Sequence, residues 1–207
     1  MSNRRDIHER VLQAKNPDDL AAAYADWAGN YDADLVGEMG YQAPRAAVEL
    51  LHASLASPGA LILDAGCGTG LVGEELSGLG YKRLVGLDYS SDMLQHARTK
   101  NVYDKLLQGD LTKTLAFKAD QFDASICVGT FTLGHVGPSA IAELVRVTRT
   151  GGLICITVRD EAWQQDDYAT SISALQGEQL IEMIAERHLP YIAEEGSLCR
   201  VCLMKVS

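Results

Sequence analysis

From residue 60 onward, short apolar runs alternate with segments in which apolar residues recur every three or four positions. Near-continuous apolar runs predict strands buried on both faces, and the periodic segments between them predict helices. Strands separated by helices indicate right-handed crossovers and a parallel sheet covered on both faces. The predicted strands are LILDA (61–65), RLVGLD (83–88), DKLLQGD (104–110), FDASICVG (122–129) and GLICITVR (152–159).

Helix start and stop signals lie between these runs. Ser90 or Ser91 can cap a helix that continues through about Lys100. Pro138 occupies a first helical turn, and the helix that it begins is predicted to end at Gly151-Gly152. Each of these helices therefore connects two predicted strands.

The last part of the chain has a less regular pattern. Its apolar spacing predicts a helix around 177–188, with Leu180, Ile181 and Ile184 on one face. The remaining predicted strands lie near 190–198 and 199–206.

Residues 1–57 have a helical pattern and contain no predicted strand. Asn16-Pro17-Asp18 is a helix start signal, and Pro44 begins a second helix. The segment is too short to bury a large core of its own, so we expect it to cover the sheet as a helical cap. The predicted organisation is a single domain over 1–207, with the cap at 1–57 and the Rossmann-like core at 58–207.

The composition fits one globular domain with a strongly acidic surface. The chain has 207 residues, 47% of them hydrophobic, and a formal net charge of −10. Such a surface repels polyphosphates, so nucleic acid is not expected as a partner. The start, MSNRRDIHER, lacks the apolar segment of a signal peptide, and no apolar run approaches the roughly 20 residues of a membrane span. We expect a cytoplasmic protein without a membrane partner, and the sequence leaves the oligomeric state open.

The five cysteines are expected to be reduced thiols, because their number is odd and no secretory signal precedes them. Cys199 and Cys202 have the C-x-x-C spacing of redox and zinc motifs. They fall in a predicted strand, where residues three apart point to opposite faces. No second ligand pair accompanies them in the sequence. We therefore expect structural cysteines and no metal site.

The segment DAGCGTGLVG (64–73) follows the first predicted strand. Gly68, Gly70 and Gly73 match G-x-G-x-x-G, the pattern of dinucleotide-binding loops, but the match begins several residues after the strand ends. Asp64, at the root of the loop, would face the charges of a pyrophosphate. Both observations disfavour an NAD-linked oxidoreductase. A cationic ligand without phosphate fits the acid better.

Aspartates end the next two predicted strands as well. In a parallel α/β sheet the ligand lies at the carboxyl ends of the strands. Asp88 can accept hydrogen bonds from two ribose hydroxyls, and Asp110 from the exocyclic amine of adenine, while Leu111 and Tyr89 offer apolar faces. S-adenosyl-L-methionine combines adenosine with a sulfonium and an ammonium, which suit Asp64. The three aspartates and the loop together predict this cofactor.

Four motifs in order resemble those of the class I S-adenosyl-L-methionine-dependent methyltransferases: LILDAGCGTG, LVGLDYSSDML, LLQGDL and FDASICVG, over roughly residues 60–160. Beyond them, YADWAGNYDADL and GHVGP are similar to the methyltransferase-like proteins named for the Williams–Beuren syndrome chromosomal region, a group without a firmly assigned substrate. The resemblance implies a doubly wound, Rossmann-like α/β fold. Its sheet would be mostly parallel and seven-stranded, with one antiparallel strand, helices on both faces and an N-terminal helical cap.

The resemblance also implies a role for each matching position. The cofactor would be S-adenosyl-L-methionine and its product S-adenosyl-L-homocysteine. The implied site residues are Asp64, Gly66 and Gly68 at the methionine end, Ala65, Cys67 and Thr69 along the loop, Asp88 at the ribose, Tyr89, Met93, Asp110 and Leu111 at the adenine, and Cys127 and Gly129 beside the reactive methionine portion.

Methyl transfer is an in-line displacement, and a base is needed only where the acceptor must lose a proton. His135, in GTFTLGHVGP, is the candidate for a general base or a substrate contact; the alternative is a loop-structuring histidine. In methyltransferases of this type an N-terminal helix often covers the cofactor. Tyr24, Trp27 and Tyr31 are spaced to form such a lid, and the alternative is an ordinary helix face packed on the sheet.

No motif identifies the methyl acceptor. The D/N/S-P-P-Y/F segment common in amino-methylation of adenine bases does not follow the fourth strand. Together with the acidic charge, its absence favours a small-molecule acceptor. Arg159 could meet an acidic acceptor, with a surface ion pair as the alternative. The sequence leaves open a protein methyltransferase and a binding protein without transferase activity. The sequence shows no convincing set of extra acidic residues for binding a polyamine, which disfavours aminopropyl transfer.

Overall fold

One seven-stranded sheet organises the structure, a computed structural model that describes residues 32–55, 57–133 and 136–207. Its strands are β1 Leu61–Ala65, β2 Arg83–Asp88, β3 Lys105–Gln108, β4 Phe122–Phe131, β5 Thr148–Arg159, β6 Ile181–Pro190 and β7 Leu198–Val206. They lie in the order β3-β2-β1-β4-β5-β7-β6. The strand order reverses between β1 and β4, which is where sheets of this kind bind their ligands.

All but one of the strands run in the same direction. β1 pairs in parallel with β2 and β4, as do β2 with β3 and β4 with β5. β7 runs antiparallel to both β5 and β6. This arrangement confirms the predicted doubly wound, mostly parallel seven-stranded sheet with one antiparallel strand.

Helices cover both faces of the sheet. They are α1 Ala43–Ser54, α2 Leu71–Gly78, α3 Ser91–Thr99, α4 Ala140–Val147, α5 Asp160–Gln165 and α6 Tyr168–Gly177. Leu51 of α1 and Leu76 of α2 share one buried apolar layer with Ile62 of β1. Ile141 of α4 and Ile172 of α6 belong to the layer on the opposite face. The two layers bury the sheet from both sides, as its apolar strands require.

The N-cap residue of α3 is Ser90, one of the two serines that the sequence predicts for this position. Ser90 precedes the helix in extended conformation, and its Oγ accepts a hydrogen bond from the Met93 backbone N–H (3.3 Å). This bond satisfies one of the donors left free at a helix N-terminus. It confirms Ser90 as the start of a helix that ends at Thr99.

The described part of the predicted cap is helical. A short π-helix spans Ala33–Glu38, and α1 begins with Pro44 in its first turn. Between them, Tyr41 forms an isolated antiparallel bridge with Ile192, which ties this segment to the connection between β6 and β7. Residues 1–31 lie outside the described residues. The division into a cap at 1–57 and a core at 58–207 therefore stays a prediction.

The helix predicted around 177–188 is wrong. α6 ends at Gly177, and residues 181–190 form β6, an edge strand paired with β7. The strand predicted near 190–198 is wrong too, because the chain turns between β6 and β7 over 191–197. The C-terminal pair of strands therefore begins about ten residues earlier than the apolar spacing indicates.

A bulge in β6 explains the misleading spacing. The register with β7 shifts between Met183 and Ala185, so Ile184 is an inserted residue in this pairing. Met183 packs against the apolar layer on one face of the sheet and Ala185 against the layer on the other. The two-residue alternation of a strand is broken at the bulge, and the apolar residues then resemble one face of a helix.

The helix predicted to end at Gly151-Gly152 stops earlier. α4 ends at Val147, and β5 begins at the next residue. Gly152 lies inside β5, where a Cβ atom would stand 2.7 Å from the Asp123 carbonyl oxygen. The glycine therefore permits close approach of two strands rather than ending a helix.

All five cysteines are free and buried. Cys199 and Cys202 belong to the apolar layers on opposite faces of the sheet, in agreement with their spacing along a strand. Within the described ranges, no group of three or more His, Cys, Asp or Glu residues could hold a metal ion. In the same ranges, no helix has the length and apolar character needed to cross a bilayer.

Candidate functional site

The carboxyl ends of the parallel strands meet along one side of the sheet, which we call the carboxyl edge. Backbone hydrogen bonds join its segments: the N–H groups of Gly66 and Cys67 donate to the Leu87 carbonyl oxygen (2.7 and 2.9 Å), and Gly109 N–H donates to the Asp88 carbonyl oxygen (2.9 Å). The structure thus brings together the strand ends that the sequence analysis singles out. They are the segments 64–70, 88–93, 109–111 and 127–130.

The glycine loop follows β1 in a backbone conformation that favours glycine. Gly66, Gly68 and Gly70 have φ values of +76°, +53° and +92°. A Cβ atom on Gly66 would overlap the Thr130 side chain at the end of β4. At Gly68 it would meet no atom of the described residues within 4 Å. The loop is therefore packed against β4 at one glycine and borders open space at the next.

Asp64 ends β1 beneath this loop, with its side chain 1% exposed. Its Oδ2 accepts a hydrogen bond from the Tyr103 hydroxyl (2.6 Å), and its buried Oδ1 has no hydrogen-bond partner among the described residues. Burial raises the pKa of Asp64 to about 7; the Tyr103 hydrogen bond lowers it and the charge of Asp88 raises it further. A buried carboxylate oxygen without a donor is stabilised by a cationic neighbour.

Tyr103 reaches Asp64 through a gap that three glycines leave open. A Cβ atom on Gly70 would lie 3.1 Å from the Tyr103 Cε2, and one on Gly86 would lie 3.2 Å from its Cδ1. A Cβ atom on Gly73, inside α2, would overlap the Tyr103 hydroxyl group. Gly73 therefore makes room for a tyrosine ring and has no part in a phosphate-binding loop.

This gap predicts opposite effects for two glycine substitutions in α2. Alanine normally stabilises a helix by up to about 1 kcal/mol relative to glycine. Gly73→Ala is instead expected to lower the free energy of unfolding by about 1–3 kcal/mol, because the tyrosine ring must move. Gly78→Ala, where a Cβ atom meets nothing within 4 Å in the described part of the chain, should be neutral or stabilising. Urea denaturation of both variants measures the difference, and equal effects would contradict the packing described.

Asp88 ends β2 and faces the glycine loop. Its Oδ2 accepts a hydrogen bond from the Gly68 backbone N–H (2.8 Å), and its Oδ1 accepts one from the Ser90 N–H (2.8 Å). Burial raises its pKa, while the hydrogen bonds from Ser90 and Gly68 lower it. Each carboxylate oxygen can accept a second hydrogen bond. The side chain is thus fixed in place with acceptor capacity left for a ligand.

The residues predicted at the adenine differ in their surroundings. Met93 and Leu111 are buried, whereas Tyr89 is 45% exposed. The Asp110 Oδ1 accepts hydrogen bonds from the Thr112 N–H and hydroxyl (2.9 and 2.6 Å), and its Oδ2 lies 3.1 Å from Lys113 Nζ. The Asp110 carboxylate is therefore largely occupied within its own turn.

The end of β4 completes the carboxyl edge. Cys127 is buried, and burial raises the pKa of its thiol to about 12. Gly129 has a φ of +77°, and a Cβ atom there would lie 2.6 Å from the Tyr41 hydroxyl and 3.4 Å from that of Tyr191. The two phenol oxygens lie 3.5 Å apart. Two tyrosines that the sequence analysis does not single out thus stand beside Gly129.

The loop is also tied to the chain that precedes α1. Thr69 Oγ1 donates a hydrogen bond to the Asp32 carboxylate, and the other oxygen of Asp32 lies 2.6 Å from Lys100 Nζ. Lys100 pairs with Glu74 of α2 as well. Asp32 and Lys100, which are distant in sequence, therefore link the glycine loop to the start of α2.

Four predicted site residues lie outside the described residues: His135, Tyr24, Trp27 and Tyr31. The roles predicted for them stay predictions. Conversely, the structure places Tyr103, Thr130 and Asp32 at the carboxyl edge, and the sequence motifs do not point to them. Only Gly73 hints at Tyr103, because a glycine inside a helix often marks close packing.

The donor and acceptor set fits a ligand with cationic groups and hydroxyls. Asp64 offers a buried acceptor oxygen that has no partner in the described ranges, and Asp88 keeps acceptor capacity toward the loop. The space beside Gly68 admits a ligand close to the backbone. S-adenosyl-L-methionine has this combination of groups, whereas a pyrophosphate would lie against two carboxylates.

Comparison with known proteins agrees with this geometry. A family model described as "Methyltransferase domain" matches residues 63–156. The human methyltransferase-like protein 27 is 38% identical over 188 residues, which are 88% of this chain and 72% of that protein.

A second relative and a solved structure extend the comparison. The malonyl-[acyl-carrier protein] O-methyltransferase of Yersinia pestis is 34% identical over 160 residues, 72% of this chain and 56% of that enzyme. The chain thus spans little more than half of that enzyme. The crystal structure of magnesium protoporphyrin IX methyltransferase from Synechocystis with bound S-adenosyl-L-methionine superposes with a TM-score of 0.64 at 18% identity, covering 100% of this chain and 92% of that one. The chain belongs to the class I S-adenosyl-L-methionine-dependent methyltransferases, and S-adenosyl-L-methionine is its cofactor.

Proposed function

We propose that this chain transfers the methyl group of S-adenosyl-L-methionine to a small-molecule acceptor. The observation that carries the proposal is the state of the basic side chains next to the end of β5. Arg159 lies 3.3 Å from Glu161 and 3.5 Å from Glu195, and Arg200 pairs with Glu186. Arginines already engaged by carboxylates are poorly placed to neutralise the phosphates of a nucleic acid.

The arginines next to the end of β5 are therefore balanced by carboxylates, and the chain as a whole is acidic, with a net charge of −10. Arg159 also stacks over the Tyr191 ring, with Cζ 5.1 Å from the ring centroid. This contact and the two carboxylates support a structural role for Arg159 rather than the recognition of an acidic acceptor. A neutral or cationic small molecule fits this surface best.

We propose cofactor-binding roles for the residues gathered at the carboxyl edge. Among the described residues, none fills the space beside Gly68 and none donates to Asp64 Oδ1, which supports a methionine end near the loop. The fixed carboxylate of Asp88 supports ribose binding. The proposed cofactor-binding set is Asp64, Ala65, Gly66, Cys67, Gly68, Thr69, Asp88, Tyr89, Met93, Asp110, Leu111, Cys127 and Gly129.

Asp110 has a more limited part in this proposal. Thr112 and Lys113 already occupy most of its carboxylate. Asp110 could therefore accept at most one further hydrogen bond, from an adenine amine. The buried side chains of Met93 and Leu111 support apolar contact with the adenine ring instead.

Bound S-adenosyl-L-methionine supplies a methyl group on a sulfonium, which is already a good leaving group. The protein must then orient the acceptor and exclude water. Tyr41 and Tyr191 lie beside Gly129, and burial raises the pKa of Tyr191 to about 12. A phenol that stays protonated at neutral pH can donate a hydrogen bond to the methyl acceptor. It cannot act as the base that removes a proton from that acceptor. His135 remains the proposed base or substrate contact.

Label transfer tests the proposed acceptor class. The protein is incubated with methyl-labelled S-adenosyl-L-methionine and a cell extract divided into metabolite, protein and RNA fractions. We expect label only in the metabolite fraction, and a loss of that label with the Asp88→Ala variant. Label in the protein or RNA fraction would contradict the small-molecule acceptor, and cofactor binding without transfer to any fraction would favour a binding protein without transferase activity.

A further inference from the structure

Tyr103 lies at the carboxyl edge, and the sequence motifs do not point to it. We propose that Tyr103 is a positioning residue: its hydroxyl holds the Asp64 carboxylate through Oδ2 and leaves Oδ1 to interact with a positively charged group of S-adenosyl-L-methionine. This inference rests on the cofactor role proposed for Asp64.

The hydrogen bond fixes the orientation of the carboxylate. The Tyr103 hydroxyl donates to Asp64 Oδ2 at 2.6 Å, a length typical of a charge-assisted bond. Burial raises the pKa of Tyr103 far above its ordinary value, so the hydroxyl stays a donor. With one oxygen held, the other cannot rotate away, and its direction is set before a ligand arrives.

The surrounding glycines show that the tyrosine ring has a dedicated place. Gly70, Gly73 and Gly86 come from the loop, α2 and β2, and a Cβ atom on any of them would crowd the ring of Tyr103. Gly73 lies inside a helix, where glycine costs up to about 1 kcal/mol relative to alanine. Three glycines from two separate segments thus accommodate one side chain that reaches from the connection before β3.

The charges around Asp64 make this hydrogen bond important. The groups that interact with the carboxylate are Asp88 after β2, the thiols of Cys67 in the loop and Cys127 in β4, and the Tyr103 hydroxyl. Asp88 raises the pKa of Asp64, and burial raises the pKa of both thiols, which are therefore neutral. Without the Tyr103 hydroxyl, burial and Asp88 favour a protonated Asp64, which no longer attracts a cation.

The inference predicts a change in the pH dependence of cofactor binding. Ionised Asp64 favours a cationic ligand, so the affinity of the wild type should fall as the pH drops through the Asp64 pKa of about 7. Tyr103→Phe keeps the ring in its gap but raises this pKa, so its affinity should already be about tenfold weaker at neutral pH. The two proteins should converge at about pH 9. Calorimetric titration with S-adenosyl-L-methionine across this pH range measures the shift.

Two variants serve as controls. Tyr81→Phe removes another buried tyrosine hydroxyl, which is hydrogen-bonded to His52 Nδ1 (3.0 Å). Tyr81 lies just before β2, away from the carboxyl edge, so this variant should keep the wild-type pH profile. Asp64→Asn should bind weakly without the pH dependence, and adding Tyr103→Phe to it should change the profile no further. The ionisation of the ligand itself is common to all titrations.

The outcomes separate this inference from the proposed function. If Tyr103→Phe binds with the wild-type pH profile, the positioning role is overturned, while the cofactor role of the carboxyl edge stands. If the wild type itself does not bind S-adenosyl-L-methionine, the proposed cofactor site fails together with the inference.

Discussion

Asp88→Ala is expected to weaken the binding of S-adenosyl-L-methionine by about 100-fold or more. Hydrogen bonds to a charged group contribute about 1.5–3 kcal/mol each, and the two ribose hydroxyls would lose such an acceptor. The substitution also frees the backbone N–H groups of Gly68 and Ser90, which the carboxylate holds at 2.8 Å. The glycine loop thereby loses one of its contacts with β2, while the hydrogen bonds from Gly66 and Cys67 to the Leu87 carbonyl oxygen remain. Isothermal titration calorimetry with the cofactor measures the affinity directly.

Asp104→Ala is the matched control for this variant. Asp104 is an exposed aspartate just before β3, at the opposite side of the sheet from the carboxyl edge. Its backbone N–H, which alanine keeps, donates a hydrogen bond to the Leu84 carbonyl oxygen. The control should bind the cofactor as the wild type does. A folded Asp88→Ala protein with wild-type affinity would show that Asp88 does not hold the ribose.

Gly68→Ala is expected to weaken cofactor binding by about 10- to 100-fold, which corresponds to the usual penalty for overfilling a packed site. The added methyl group would project into the space beside the loop, where it meets no atom of the described residues. The substitution keeps the backbone N–H of residue 68, which donates a hydrogen bond to Asp88. The loss would therefore report on the ligand and not on a broken contact of the protein.

Gly80→Ala provides a control at another glycine with a positive φ. Gly80 follows α2 with a φ of +93°, and a Cβ atom there also meets no atom of the residues that the structure describes within 4 Å. Both variants should lose stability by about 1–2 kcal/mol, the cost of a left-handed conformation for an L-residue. Only Gly68→Ala should lose cofactor affinity. Equal affinities of the two variants would place the methionine end away from Gly68.

The sequence predicts the inner strands and the loop well because their signals are local. β1 and β2 are apolar runs that end in aspartates, and the structure bounds both at the predicted residues. The edge strand β6 is different, because it is exposed on its outer side and carries a bulge at Ile184. A bulge shifts the alternation by one residue, and no local feature of the sequence marks where the shift occurs.

In the candidate site, too, residues with local sequence signals are predictable and residues placed by tertiary packing are not. Asp64 and Asp88 are predictable because each lies at the carboxyl end of its strand, and parallel strands bring these ends together. Tyr103 lies 39 residues from Asp64, and its contact depends on how closely α2, β2 and the loop pack around its ring. Pairing of this kind depends on tertiary packing, which apolar periodicity does not encode.

The most direct test of the account is a calorimetric comparison of S-adenosyl-L-methionine with NAD⁺ on the wild-type protein. The buried, partly unpartnered Asp64 beneath the loop predicts that the cationic cofactor binds with one molecule per chain and that NAD⁺ produces no binding heat. The contrary result, saturable binding of NAD⁺ without binding of S-adenosyl-L-methionine, would contradict the reading of the carboxyl edge as a site for a cationic methionine group.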